Sequence, residues 1–290
     1  MIDRTGHFQD RPRAGFRALA TLALAACLAV PGADAAPISI MPMGDSITYG
    51  FASYGDGKPV PVPGGYRGFL YRDLTAAGYD VRMVGSQTGN PDPTLPAAAN
   101  AHEGHVSFQI DAALPYSGLD QNLAKWLAPG NGVNPDYILL LIGINNIIAQ
   151  DNAAGAPYEL AALIAQIGEL RPDAKVLVST LGPLSYTTTA APIQRFNAAL
   201  EGPDGIVAQL QKLGAKVTLV NVAGRLTLAD LSDGIHPNRA GYAKMADSWA
   251  AAIELGDPVV APEPSALALI GCGILGYLHV ARSRARKDGS

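Results

Sequence analysis

The chain has 290 residues, 48% of them hydrophobic and 16% charged, a composition that fits a packed globular domain and excludes a disordered chain. Eight of its 21 Lys and Arg residues lie in the two ends, so residues 36–264 hold 13 basic against 21 acidic residues, a balance of −8. An acidic domain of this kind excludes nucleic acid as a partner and suits a neutral substrate.

From the N-terminus, Arg11, Arg13 and Arg17 precede an apolar run over 18–30 and the small-residue triplet Ala33, Asp34, Ala35. This order predicts a signal peptide over 1–35, cut by signal peptidase, and sets aside a buried N-terminal helix. Leu24 to Cys27 has the look of a lipobox, but the apolar residues after Cys27 argue against a lipoprotein. The only other cysteine, Cys272, lies near the far end, so the domain between them has no disulfide framework and no thiolate metal site.

The domain is expected over 36–256. Apolar runs at 38–43 and 137–142 predict strands buried on both faces of a parallel sheet, with further strands at 81–84, 175–179 and 217–221. Leu160, Leu163, Ile164, Ile167 and Leu170 follow helical spacing and stop at Pro172. A second helical region spans 193–213 with a break at 202–205, and a last helix spans about 239–254 with Tyr242, Met245, Trp249 and Ile253 facing inward. Alternation of this kind predicts a three-layer α/β/α sandwich with about five parallel strands. Ligands bind such sheets beyond the carboxyl ends of the strands. That edge is where Ser46, Asn145 and His236 fall, and the long loop 85–107 borders it as a candidate substrate contact.

After the domain, residues 257–264 read as a linker containing Pro262, Glu263 and Pro264. Residues 265–290 comprise an apolar run of 17 broken only by His279, then a basic end. The order resembles the PEP-CTERM sorting signal. That resemblance implies a transmembrane segment held transiently in the inner membrane, basic end inside, until an exosortase-type enzyme removes it. A plain tail anchor is the alternative. Either way the domain is expected outside the cytoplasm, in the periplasm, at the cell surface or secreted.

A serine hydroxyl attacks a carbonyl only when a base takes its proton, and neutral imidazole suits that task. Of the domain's three histidines, His102, His105 and His236, the last has Asp233 three residues earlier on a Gly-containing loop, where a carboxylate can accept from the other ring N–H. Pro237 keeps His236 out of helical conformation. The triad Ser46, His236, Asp233 therefore carries the expected chemistry. The first segment, GDSIT, lacks the second glycine of a GxSxG elbow, which argues against an α/β-hydrolase. Glu103 with His102 and His105 is not HExxH and lacks a further ligand, so loop packing is preferred to a metal site. Arg67, Tyr66 and Phe69 open a helix after the nucleophile and are assigned to core and surface rather than to substrate.

These segments resemble the SGNH or GDSL-type hydrolases: Gly44 to Thr48 as the first block, Gly143, Ile144 and Asn145 as the third, and Asp233 to Asn238 as the last. GGYR at 64–67, VGS at 84–86 and EGH at 103–105 are similar to carbohydrate esterase family 3, the acetyl xylan esterase group. The resemblance implies a flavodoxin-like fold and acyl-ester hydrolysis without a cofactor. It also implies an oxyanion hole from the Ser46 N–H, a second-block N–H (Ser107, or alternatively Gly104) and the Asn145 amide. Two positions depart from the pattern. Ser107 stands where glycine is usual, which predicts a narrower hole and the loss of positive-φ freedom. Asn146 stands where aspartate is usual, which predicts altered loop hydrogen bonding. The favoured substrate is an acylated, especially acetylated, carbohydrate. The competing readings are a lipase or thioesterase for longer acyl chains and a cell-surface matrix protein that uses the fold only for binding.

Overall fold

The computed structural model describes residues 37–256 apart from 113–116, 129, 131–132, 150–151 and 187. The order is β1 (Ile38–Gly44), α1 (Ser46–Tyr49), β2 (Phe51–Gly55), β3 (Lys58–Pro61), α2 (Gly65–Ala76), β4 (Val81–Met83), β5 (Glu103–Gly104), α3 (Asp120–Trp126), β6 (Tyr137–Leu141), α4 (Ile144–Ala149), α5 (Ala156–Leu170), β7 (Lys175–Ser179), α6 (Ala190–Leu200), α7 (Ile206–Lys212), β8 (Val217–Val220) and α8 (Arg239–Gly256).

The main sheet runs β4-β1-β6-β7-β8, with the short β5 also paired to β1, and every one of these pairings is parallel. This is the α/β sandwich with a five-strand parallel path that the alternation predicts. All five residues of β6 are buried, as a strand covered on both faces requires. Helices α2 and α8 pack against each other, with Tyr66 and Trp249 in ring contact at 6.2 Å, while α3, α6 and α7 each pack against α5. The helices thus form two groups, one for each face of the sheet.

The chain leaves β1 for β4 on one side and reaches β6 on the other. The topological switch point therefore lies at the end of β1. Register then does the positioning: Gly44 of β1 pairs with Gly104 of β5 and with Leu141 of β6. Three strand ends lie at one level, and Ser46, Ser107 and Asn145 follow them within four residues. Glycine is required at position 44, because a Cβ there would overlap the Leu141 carbonyl oxygen and crowd Thr48 Oγ1.

Two predicted segments are not part of this description. Residues 1–35 and 257–290 lie outside the described residues. The expectation of a transmembrane segment, with inner-membrane parking and exosortase processing, is corrected: among the described residues no helix is long and apolar enough to cross a membrane.

Candidate active site

Ser46 begins the four-residue helix α1. Asp45 caps it, its Oδ1 accepting from the Ile47 N–H at 2.9 Å, and Gly50 ends it in the left-handed conformation at φ 96°. So short a helix cannot hold itself, and its exposed carbonyls are held from outside. The Arg67 guanidinium, fully buried, donates to the Thr48 carbonyl and to Tyr49 O at 3.0 Å, and also to Gly89 O at 3.3 Å and Asn90 O at 3.2 Å. Asn90 Nδ2 donates to Tyr49 O at 3.0 Å and Val62 O at 2.7 Å. A cation at the carboxyl end of a helix is favourably placed. Burial nonetheless lowers its pKa to about 10.

Asp45 is also fully buried, and its Oδ2 has no hydrogen-bond partner. Burial pushes its pKa up to about 7 against the pull of the Ile47 N–H. Beneath the next segment, His102 is buried with Nε2 donating to Gly89 O at 3.0 Å and Nδ1 accepting from the Gly104 N–H at 2.9 Å. Burial, then the nearby Arg67 charge, lowers its pKa to about 3, so this imidazole is neutral.

The base arrives on a loop before α8. His236 Nε2 lies 2.9 Å from Ser46 Oγ, and His236 Nδ1 lies 2.8 Å from Asp233 Oδ2. A neutral imidazole with its proton on Nδ1 satisfies both contacts: Nδ1–H donates to Asp233 and Nε2 accepts from the serine hydroxyl. Asp233 Oδ1 accepts from the Ile235 and His236 N–H groups at 3.0 and 2.8 Å. Partial burial raises the Asp233 pKa, but these hydrogen bonds outweigh it and the net shift is downward. Phe51 packs edge-on against the His236 ring, centroids 4.5 Å apart. Asn238 then caps α8, its Oδ1 accepting from Gly241 N–H at 3.0 Å. The serine hydroxyl thus has a base, and the base has an orienting carboxylate.

The remaining predicted site residues are placed as follows. Asn145 Nδ2 donates to Phe108 O at 2.7 Å, which ties it to the segment carrying Ser107. The Gly104 N–H is taken by His102. Ser107 sits at φ 67°, the left-handed conformation that glycine reaches freely, and holds it in spite of its side chain. Asn146 is buried between Ile110 N–H, which donates to its Oδ1 at 3.2 Å, and Glu159, whose Oε2 accepts from its Nδ2 at 3.2 Å. An aspartate there would face that carboxylate, so an amide suits the position. Glu103 accepts from the Ser86 hydroxyl at 2.9 Å and from His105 at 2.9 Å, and His105 stacks on Trp126 at 4.5 Å. Among the described residues no group of three potential ligands is placed to hold a metal.

His102 packs the loop as expected, bridging Gly89 O and the Gly104 N–H, whereas Arg67 and Asn90 are supports whose bracing of α1 sequence reasoning missed. For Arg67 a signal existed, since Arg67, Leu70 and Leu74 share one helix face at i, i+3, i+7 and all three are buried.

A serine paired with an imidazole at the carboxyl edge of a parallel sheet is the arrangement of a serine hydrolase. The chain belongs to the GDSL-like lipase/acylhydrolase family, which residues 43–244 match. It is 30% identical over 241 residues, 76% of its length, to a multidomain esterase of Ruminococcus flavefaciens, of which it spans 29%. It is 31% identical over 144 residues, 48% of its length, to a putative endoglucanase X of Acetivibrio thermocellus, of which it spans 57%. Among solved structures it resembles a Clostridium thermocellum family 3 carbohydrate esterase, with 30% identity and a TM-score of 0.58 over 76% of this chain and 96% of that one.

Proposed function

We propose that the protein is an exported esterase that removes acetyl or similarly short acyl groups from a carbohydrate. The observation that carries the reading is the unbroken line Ser46 Oγ, His236 Nε2 and Nδ1, Asp233 Oδ2, with contacts of 2.9 and 2.8 Å. His236 takes the Ser46 proton as Oγ attacks the ester carbonyl. The negative charge that forms on the carbonyl oxygen is held by the Ser46 N–H, the Ser107 N–H and the Asn145 amide, while Asp233 steadies the imidazolium. His236 then gives its proton to the departing alcohol, and water releases the acid by the same steps in reverse.

Three further observations support the narrower reading. The similar solved structure is a family 3 carbohydrate esterase. Ile47, Ile144, Ile235 and Pro237, sequence neighbours of the site residues, line an apolar cavity against which a small acyl group can pack. The N-terminal sequence has the order of a signal peptide. Initial rates on p-nitrophenyl acetate and octanoate, with Ser46→Ala as control, test the proposal. Acetate turnover that vanishes in the variant is the expected result; octanoate preference overturns the short-acyl reading, and equal turnover by the variant overturns the mechanism.

A further inference from the structure

The proposed hydrolysis says where the alcohol half of the ester must lie. When the acyl–oxygen bond breaks, the electron pair stays on the sugar oxygen and the proton comes from His236 Nε2, so that oxygen must approach the imidazole. The alcohol therefore extends along the side of the cleft bordered by His236, against whose ring Phe51 packs edge-on.

Phe51 opens a two-stranded hairpin, β2 and β3, whose tip is Asp56-Gly57 with φ of 51° and 72°, the turn chemistry of a tight hairpin. The hairpin's base is pinned to α8 by the buried Tyr242 hydroxyl, which donates to Phe51 O at 2.6 Å. In a regular strand, residues 51 and 54 would point to opposite faces. A register shift between Phe51 and Ser53 cancels that alternation, and the Tyr54 ring packs on Phe51 with centroids 5.0 Å apart. Bulges beside active sites characteristically re-aim a side chain. Here the result is an aromatic ring 67% exposed, two ring contacts from the catalytic imidazole.

We infer that Tyr54 is the stacking platform for the glycosyl part of the departing alcohol, and so a specificity-determining residue. Its flat face meets the apolar C–H face of a pyranose, and Asp56 and Lys58, both exposed at the hairpin tip, are the nearest charged residues in the hairpin for its hydroxyls. The inference rests on the proposed carbohydrate-ester hydrolysis.

The test compares kcat/KM on acetylated xylo-oligosaccharides with kcat/KM on ethyl acetate, whose alcohol is too short to reach the hairpin, in the full chain and in Tyr54→Ala, Tyr54→Trp and Ser46→Ala. The expected result is that the oligosaccharide-to-ethyl acetate ratio falls roughly tenfold in Tyr54→Ala, equivalent to about 1.4 kcal/mol, mainly through KM. Tyr54→Trp holds the ratio within roughly twofold of the parent chain. A ratio unmoved in Tyr54→Ala, with both esters turned over and Ser46→Ala inactive, overturns the platform alone. Turnover of ethyl acetate but not of the oligosaccharide overturns the carbohydrate reading and the platform together. Turnover of neither ester overturns the proposed hydrolysis, and the platform falls with it.

Discussion

Ser46 is 5% exposed, in a helix whose last carbonyls are held by a guanidinium 18 and 19 residues away, whereas Asp233 keeps 27% of its side chain exposed on a loop whose bonds to His236 span three residues. The nucleophile is fastened by distant parts of the chain. The base largely fastens itself, through the Asp233 hydrogen bonds, the Ser232 N–H to His236 O at 2.8 Å, and the Asn238 N–H to Asp230 O at 2.8 Å. Beyond the loop, Lys244 on α8 grips Asp230 at 2.7 Å. One arm is mainly tertiary and the other mainly local, its distant contacts being Phe51 on the His236 ring and the Ser185 N–H donating to Gly234 O at 2.8 Å, so damage to them differs in kind.

The largest effects fall on rate. Ser46→Ala is expected to lower kcat by about 10⁶-fold, near 8 kcal/mol of barrier, because it removes the nucleophile, and Asp233→Asn by about 10⁴-fold, near 5.5 kcal/mol, because it unsettles the His236 tautomer. Asp233→Asn keeps an oxygen to accept from the Ile235 and His236 N–H groups and loses only the charge, so urea unfolding is expected to show a loss of about 1 kcal/mol, well below that at Arg67. A large stability loss would show that the base arm also depends on distant packing.

Arg67→Met is expected to do the reverse. The methionine fills much of the volume but takes the guanidinium donor from the Thr48 carbonyl and one of two donors from each of Tyr49, Gly89 and Asn90, which keep Asn90 Nδ2, His102 Nε2 and the Gly64 N–H. Urea unfolding is expected to show a loss of at least about 3 kcal/mol, with activity falling because α1 and loop 85–107 part company. Unchanged stability would refute the view that Arg67 clamps the nucleophile.

Asp45 sharpens the comparison through pH. Its folded pKa, about 7, lies above the unfolded value near 3.8. The folded state therefore binds more protons between these limits, and Asp45 makes stability fall as pH rises from about 4 to about 7. Asn at this position keeps the cap and cannot ionise. The stability of Asp45→Asn minus that of the parent chain is expected to grow by about 3 kcal/mol over that window, read from denaturation at each pH. His102 acts in the opposite sense, its depressed pKa making stability fall as pH drops from about 6.5 towards 3. Taking the difference between the two chains removes its contribution.

The same division explains what could be read from sequence. The sheet was legible because β1, β6, β7 and β8 are apolar runs whose bounds the structure shifts by no more than a residue. The base was legible because Asp233, Gly234, His236, Pro237 and Asn238 interact within six positions, and local chemistry leaves local patterns. The hairpin of β2 and β3 was missed: its second strand contains Pro59 and Pro61, which read as breakers and are tolerated at the edge of a two-stranded ribbon. The clamp was missed because nothing near residue 67 announces that residues 48, 49, 89 and 90 will meet there. Loop 85–107, read as a substrate contact, uses Gly89 and Asn90 to brace α1, and that pairing exists only after the sheet has formed.

The smallest expected effect concerns Ser107, where both kinds of support meet. A serine at φ 67° carries strain of about 1 kcal/mol that glycine would not, but glycine also gains freedom in the unfolded chain, worth about 0.4–1 kcal/mol in the opposite direction. Ser107→Gly is therefore expected to stabilise by less than about 1 kcal/mol, and Ser107→Ala, which keeps the strain and loses an exposed hydroxyl, to change stability by less than about 0.5 kcal/mol. Ser107→Val places a β-branched side chain at positive φ and is expected to be the worst of the three. If strand register sets the positive φ, melting temperatures run Gly, Ala, Val from highest to lowest, and kcat on p-nitrophenyl acetate stays near the parent value in the glycine variant because the N–H is unmoved. If the serine hydroxyl sets it, glycine and alanine fall together in both melting temperature and rate.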